Sequence, residues 1–212
     1  MKNLTKKLLL TTGLIVMSAT SFAENKAEVS AVSANITIAN DYIWRGETQS
    51  DDKKAIQGGL DYDIGNGFAL GVWGSNVDFG GASSEFDIYG SYSGELDSGV
   101  GYEIGYISYT YNEKDNDFEE AYVAVSYEGF GLTQYKGVDD ASDNLELSYN
   151  LDLSGVDTTL VYGDYKDINK YHSVTFAKSF NELDYAVAWN KSKPDAGGSS
   201  SDNTVFSISK SF

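Results

Sequence analysis

The chain has no cysteine, one proline and one histidine in 212 residues. The missing cysteines exclude a disulfide framework, thiol chemistry and a lipoprotein anchor. Walker A, nucleotide-binding and zinc motifs are also missing, so neither a cofactor nor a metal is expected. No segment reaches 18 consecutive apolar residues, which excludes a transmembrane helix in the mature chain. Basic residues are scarce, 15 Lys and Arg against 32 Asp and Glu. That balance argues against a basic patch for DNA, RNA or anionic lipid.

What is present points to β-structure. There are 22 Gly, 16 Tyr, 10 Phe and 3 Trp, a profile of many strands joined by tight turns. Disordered acidic chains are poor in aromatics, so disorder is not expected. The N-terminus reads as an export signal. Lys2, Lys6 and Lys7 precede an apolar stretch from Leu8 to Met17, and Ser21-Phe22-Ala23 is a small-x-small cleavage site. Residues 1–23 are therefore expected to be removed, leaving 24–212 as one domain. Losing three lysines and no acids takes the net charge from −17 to −20.

Two all-β architectures compete, a soluble acidic sandwich and a membrane barrel. A barrel needs segments of about ten residues, apolar toward lipid and polar toward the lumen, in even number. Ala34 to Trp44 fits, with Ala34, Ile36, Ile38, Tyr42 and Trp44 opposing Asn35, Thr37 and Asp41. Ile56, Leu60, Tyr62 and Ile64 oppose Gln57, Asp61 and Asp63, and Phe86, Ile88 and Tyr92 oppose Glu85, Asp87 and Ser91. Similar alternation recurs from Val100, Ala121, Leu145 and Leu183, placing Glu103, Glu120, Glu146 and Asp184 on polar faces. The closing run ends on Phe206, Ile208 and Phe212 against Ser207, Ser209 and Ser211. Four segments are less regular: 68–77, 131–137, 158–165 and 171–179. In the first, Trp73 and Val77 fall on the parity opposite Phe68, Leu70 and Val72, and a bulge is one explanation.

The total predicts a single antiparallel up-and-down transmembrane β-barrel of about 12 strands. With both termini periplasmic, external loops are expected at 45–54, 78–84, 112–117, 138–143, 166–170 and 191–203. The turns between them are shorter, as barrels require. Trp44 and Trp189 fall at the outer strand ends, and Tyr92, Tyr127, Tyr149 and Phe212 at the inner ends. Two membrane-interface belts are therefore expected, because these rings prefer the boundary between lipid and water. A strand that stops on Phe212 is also expected to address the barrel-assembly machinery, and Lys210 to snorkel to water.

Asp41-Tyr42-Ile43-Trp44-Arg45-Gly46, then Ala55-Ile56-Gln57-Gly58-Gly59, then Gly71-Val72-Trp73-Gly74-Ser75-Asn76-Val77-Asp78-Phe79 resemble the TorF porin family. Tyr89-Gly90-Ser91-Tyr92-Ser93-Gly94-Glu95-Leu96 and the closing strand extend the resemblance over nearly the whole mature chain. It implies an outer-membrane barrel with a channel role, and brings no functional residues with it.

Twelve strands lie between a filled eight-stranded barrel and an open sixteen-stranded channel. Arg45, Asp61, Asp63, Glu85, Asp87, Glu103, Glu120, Glu146 and Asp184 are expected to line the lumen. Carboxylates in a confined aqueous pore favour cations. The expected function is diffusion of small cationic or neutral solutes across the outer membrane. Expected partners are lipid, the assembly machinery and small solutes, with the oligomeric state left open. The alternative is a closed structural or adhesive barrel, in which the acids meet Arg45, Lys136 or Lys178 in networks. A hydrolase of the outer wall would have to use His172, the one histidine, and lacks the serine motifs of such enzymes. No catalytic residue is therefore assigned.

Overall fold

The computed structural model describes residues 31–212, so the expected export signal and its cleavage site lie outside the described residues. Within them, alternation of apolar and polar residues has one outcome, an antiparallel sheet closed on itself. Its wall strands are β1 (Ala31–Ala39), β4 (Ala55–Gly65), β5 (Phe68–Phe79), β6 (Ala82–Glu95), β7 (Gly101–Tyr111) and β8 (Phe118–Tyr127). The circuit continues through β9 (Phe130–Gly137), β10 (Asn144–Asp152), β11 (Asp157–Tyr165), β12 (Asn169–Phe180), β13 (Leu183–Pro194) and β14 (Ser201–Ser211). A small hairpin of β2 (Ile43–Trp44) and β3 (Glu47–Thr48) stands apart from the wall.

Each wall strand pairs with its chain neighbour, and β1 pairs with both β4 and β14. The twelve-strand circuit has no free edge, so every backbone donor of the wall can be satisfied within the sheet. A structure surrounded by hydrocarbon must meet that condition. Closure extends to the last residue: Phe212 N–H donates to Ala34 O at 2.9 Å, and Ala34 N–H returns a bond to Phe212 O at 3.3 Å.

Burial is inverted relative to a soluble domain. Ile38, Ile56, Ile104, Val123 and Phe206 are exposed on the outer face, whereas Thr37, Gln57, Glu103 and Ser207 are buried inside. A sandwich would bury the first set. Exposed large apolar side chains on the outward parity of the wall strands are instead what a lipid-facing wall presents.

Three expectations fail locally, and one is the loop expected over 191–203, which shortens to 195–200 because β13 and β14 reach Pro194 and Ser201. The wall strand expected over 34–44 stops at Ala39, and residues 40–54 leave the sheet. The loop expected over 78–84 is a two-residue turn, because β5 and β6 run on to Phe79 and Ala82 and close through Gly80-Gly81. Both glycines have positive φ, the backbone region a tight hairpin turn requires. The irregular 68–77 segment contains no change of face. Ala69, Gly71, Trp73, Ser75 and Val77 all point inward, so Trp73 and Val77 are apolar residues of the lumen.

Candidate functional site

Inside the barrel the first loop turns inward. Asp41 anchors its base, accepting Thr48 Oγ1 at 2.7 Å and Ser50 Oγ at 2.8 Å. The backbone closes around the same point, with Tyr42 N–H donating to Ser50 Oγ at 3.0 Å and Gln49 N–H to Tyr42 O at 2.7 Å. The hairpin then reverses at Arg45-Gly46, with φ of 48° and 82°. Two successive positive φ values make the type I′ geometry that matches strand twist. For arginine this conformation costs about 1–3 kcal/mol, which contacts at the tip must offset.

Those contacts span the barrel. On one side Tyr42 meets Trp73 of β5 edge-on at 5.5 Å, and Asp78 N–H donates to Gln49 O at 2.7 Å. Opposite, Asn169 Nδ2 donates to Arg45 O at 3.2 Å, and Ser201 Oγ donates to Gly46 O at 3.1 Å. Ser192 Oγ also donates to Glu47. A Cβ on Gly46 would come within 2.7 Å of the Cβ atoms of both Ser192 and Tyr171. The tip is seated against β12 and β13 with no room for a side chain.

Arg45 is the centre of this arrangement. Its Nη1 and Nη2 donate to Glu120 Oε1 and Oε2 at 2.7 and 2.8 Å, a parallel two-bond fork. Tyr109 Oη adds a bond to Glu120 Oε2 at 3.1 Å. Three rings face the guanidinium: Trp44 at 4.2 Å, Tyr165 at 4.7 Å and Tyr135 at 4.9 Å. Glu120 is fully buried and Arg45 nearly so. Removing one partner of such a pair costs about 3–5 kcal/mol, because the other charge stays buried and unpaired.

The remaining inward acids are held by tyrosines in a repeated pattern. Asp61, Gly71 and Tyr89 are directly opposite one another on β4, β5 and β6, and Tyr89 Oη donates to Asp61 Oδ1 at 2.6 Å. Glu146, Gly163 and Tyr171 repeat the row on β10, β11 and β12, with Tyr171 Oη donating to Glu146 Oε2 at 2.9 Å. In each row the tyrosine ring lies where a side chain on the central glycine would stand. Glycine is needed there so that the ring can cross one strand and reach the next. Tyr122 of β8 also lays its ring over its partner Gly105, but donates to Glu103 Oε1 of the same strand β7, at 2.5 Å. Tyr111 Oη donates to Glu85 Oε1 at 3.0 Å. One oxygen of Glu85 and one of Asp87 are buried without a hydrogen-bond partner.

All the acids expected in the lumen thus lie on the inward face, Asp61, Asp63, Glu146 and Asp184 partly exposed and the others buried. Arg45 joins them, but from the loop. Lys136 and Lys178 point outward, and Lys136 bonds Asp143 instead. Tyr92, Tyr127, Trp189 and Phe212 are exposed on the outer face, and Tyr149 stacks there on Phe130 at 4.3 Å. Trp44 is corrected: it is inside the barrel against Tyr109, Phe118 and Tyr165, at 6.1, 5.8 and 5.5 Å. Its alternation with Tyr42 and Ile38 imitates a wall strand, but the chain has left the wall before it. His172 points outward and meets Trp189 edge-on at 5.4 Å, while neighbouring Ser173 and Ser179 are on the inward parity of β12. The tyrosines of the lumen escaped sequence reading because pairing rows, not spacing, bring them to their acids.

Charged groups at the loop end of the barrel are also paired. Lys136, hydrogen-bonded to Asp143 at 2.9 Å, holds that carboxyl below the usual carboxylate range, with the Gly137 N–H assisting. Hydrogen bonds to Asp78 and Asp51 raise the Lys53 ammonium above its usual value. At the opposite end, beside the β12–β13 turn, Lys210 meets Glu182 at 3.4 Å and lies over the Phe212 ring at 5.5 Å.

Among solved structures, the fold is similar to a KdgM porin at TM-score 0.58 and 11% identity, over 87% of this chain and 98% of that one. The KdgM porin in complex with disordered oligogalacturonate gives the same values. A membrane protein from a study of in-meso crystallization aligns at TM-score 0.60 and 8% identity, over 85% of this chain and 83% of that one. At such identities the likeness is one of fold, a porin-like closed barrel. No curated protein matches the sequence. The family model that matches residues 23–191 describes bacterial proteins of unknown function, and by this match the chain belongs to the Gcw_chp family.

Proposed function

We propose that this protein is an outer-membrane channel for small solutes, cation-preferring, with its mouth narrowed by the in-folded first loop. The observation that carries the reading is the inverted barrel: a closed wall of twelve strands, apolar outside and carboxylate-rich inside. The eight acids expected in the lumen all lie on the inward face, and the guanidinium that joins them, Arg45, is already matched to Glu120. The field in the lumen is therefore negative, carried by the inward acids that keep contact with solvent, Asp61, Asp63, Glu146 and Asp184. The TorF resemblance supports the same reading. In this proposal residues 1–23 direct export, the wall aromatics contact lipid interfaces, and the last strand engages the assembly machinery.

A polyanion such as the oligogalacturonate bound by the KdgM porin is a poor candidate here, because it would meet these carboxylates. A closed barrel is the second reading, favoured by the complete burial of Glu120, Ser50 and Asn144 around the loop. Reconstitution in planar bilayers under a potassium chloride gradient separates the two. A reversal potential of cation-selective sign supports the channel. Chloride preference removes the cation reading, and absence of conductance in both wild type and loop variants favours the closed barrel.

A further inference from the structure

The surroundings of Arg45 have the composition of a binding site. Glu120 of β8 supplies a carboxylate with both oxygens aligned to a planar fork, and Tyr109 of β7 holds that carboxylate in place. Tyr135 of β9 and Tyr165 of β11 supply rings at 4.9 and 4.7 Å from the guanidinium carbon. All four belong to the wall, whereas Arg45 and Trp44 belong to the loop. A fixed carboxylate fork flanked by aromatic faces is complementary to a guanidinium, whichever chain carries it.

We propose that Glu120, Tyr109, Tyr135 and Tyr165 form a guanidinium-binding subsite of the lumen, which the first loop fills with its own Arg45. Arg45 is then a tethered ligand, and a solute carrying a guanidinium competes with it for Glu120. Planarity matters here. A compact ammonium meets only one oxygen at a time and stacks poorly, so the subsite distinguishes alkylguanidinium from alkylammonium. Passage of such a solute through the barrel rests on the channel reading above, but binding at Glu120 does not.

The test uses the folded full barrel in detergent. Arg45→Ala empties the subsite, and ethylguanidinium at millimolar concentration is added, with ethylammonium as the control. The expected result is a rise in the midpoint of heat-modifiable gel migration with ethylguanidinium only. In the Arg45→Ala, Glu120→Gln double variant that response weakens by at least about tenfold in concentration, because the charged fork is lost. No response in Arg45→Ala, or an equal response in the double variant, overturns the proposal. Should Arg45→Ala not fold, the otherwise native barrel with Trp73→Phe and Trp189→Phe reports through Trp44 alone. Saturable change of Trp44 emission with ethylguanidinium and not ethylammonium supports competition at Glu120, and no change overturns it. Conductance is read separately: a silent barrel that still binds ethylguanidinium refutes the channel and leaves the subsite standing.

Discussion

Tyr42 of the first loop and Trp73 of β5 meet edge-on at 5.5 Å inside the barrel. This contact accounts for two irregularities at once. Trp73 and Val77 keep the inward face of β5, although the β5–β6 register shifts between Asn76 and Phe79, because an apolar loop residue is there to cover them. The loop in turn has a dry surface to rest on, which a lumen lined only by carboxylates would not provide. Edge-to-face aromatic contacts of this kind add about 0.5–1.5 kcal/mol beyond area burial.

Breaking the Arg45–Glu120 pair from one side should be severe. Arg45→Ala or Glu120→Gln is expected to lower stability by about 3–5 kcal/mol, while Arg45→Met combined with Glu120→Leu costs much less. Urea-induced unfolding in detergent or lipid measures the difference. Equal losses in single and double variants would show that the pair is not the principal restraint.

Gly46 tests the seating of the loop. Gly46→Ala places a Cβ against Ser192 and Tyr171 and forces alanine to a φ of 82°. The loop tip should lift from β12 and β13 without loss of the wall. Proteolysis within 40–54 should increase, and single-channel conductance should rise. A variant as resistant and as narrow as wild type would contradict the seating.

The carboxylate–glycine–tyrosine rows make a separate prediction. Gly163→Ala should displace the Tyr171 ring and break its bond to Glu146, at a cost of about 1–3 kcal/mol for overpacking. Gly71→Ala should do the same to Tyr89 and Asp61. Thermal unfolding midpoints check both. Gly155→Ala, on a turn with open space around it, should cost less despite its φ of 85°.

Selectivity should follow the inward acids nearest solvent. Neutralising Asp61, Asp63 and Asp184 together to Asn is expected to reduce the preference for potassium over chloride severalfold. Reversal potentials in a salt gradient report it directly. If selectivity is unchanged, the field of the lumen is set elsewhere.

Asp143 predicts a local pH response at the loop end. Its carboxyl is held below the usual range by the hydrogen bond from Lys136, so the pairing is complete above the ordinary carboxylate pKa. It is lost as pH falls through the lowered folded value. Carboxyl-detected NMR titration of the folded barrel should show this, and Lys136→Met should move the midpoint back up.

Much of this molecule was legible before folding was considered. A period of two, set by the alternating direction of side chains along a strand, gave the wall, its strand number and the side on which Glu85, Glu103 and Glu146 lie. Asp41 to Trp44 has that same period, and local sequence offers no reason to exclude it from the wall. The exclusion comes from partners far along the chain: Glu120, Tyr165, Asn169, Ser192 and Ser201 become neighbours of Arg45 and Gly46 only once the barrel has closed. The sequence by itself determined a closed barrel, inverted in polarity and acidic inside. Only the tertiary structure decided that its first loop turns inward, because burying one guanidinium requires a carboxylate and aromatic rings drawn from four different strands.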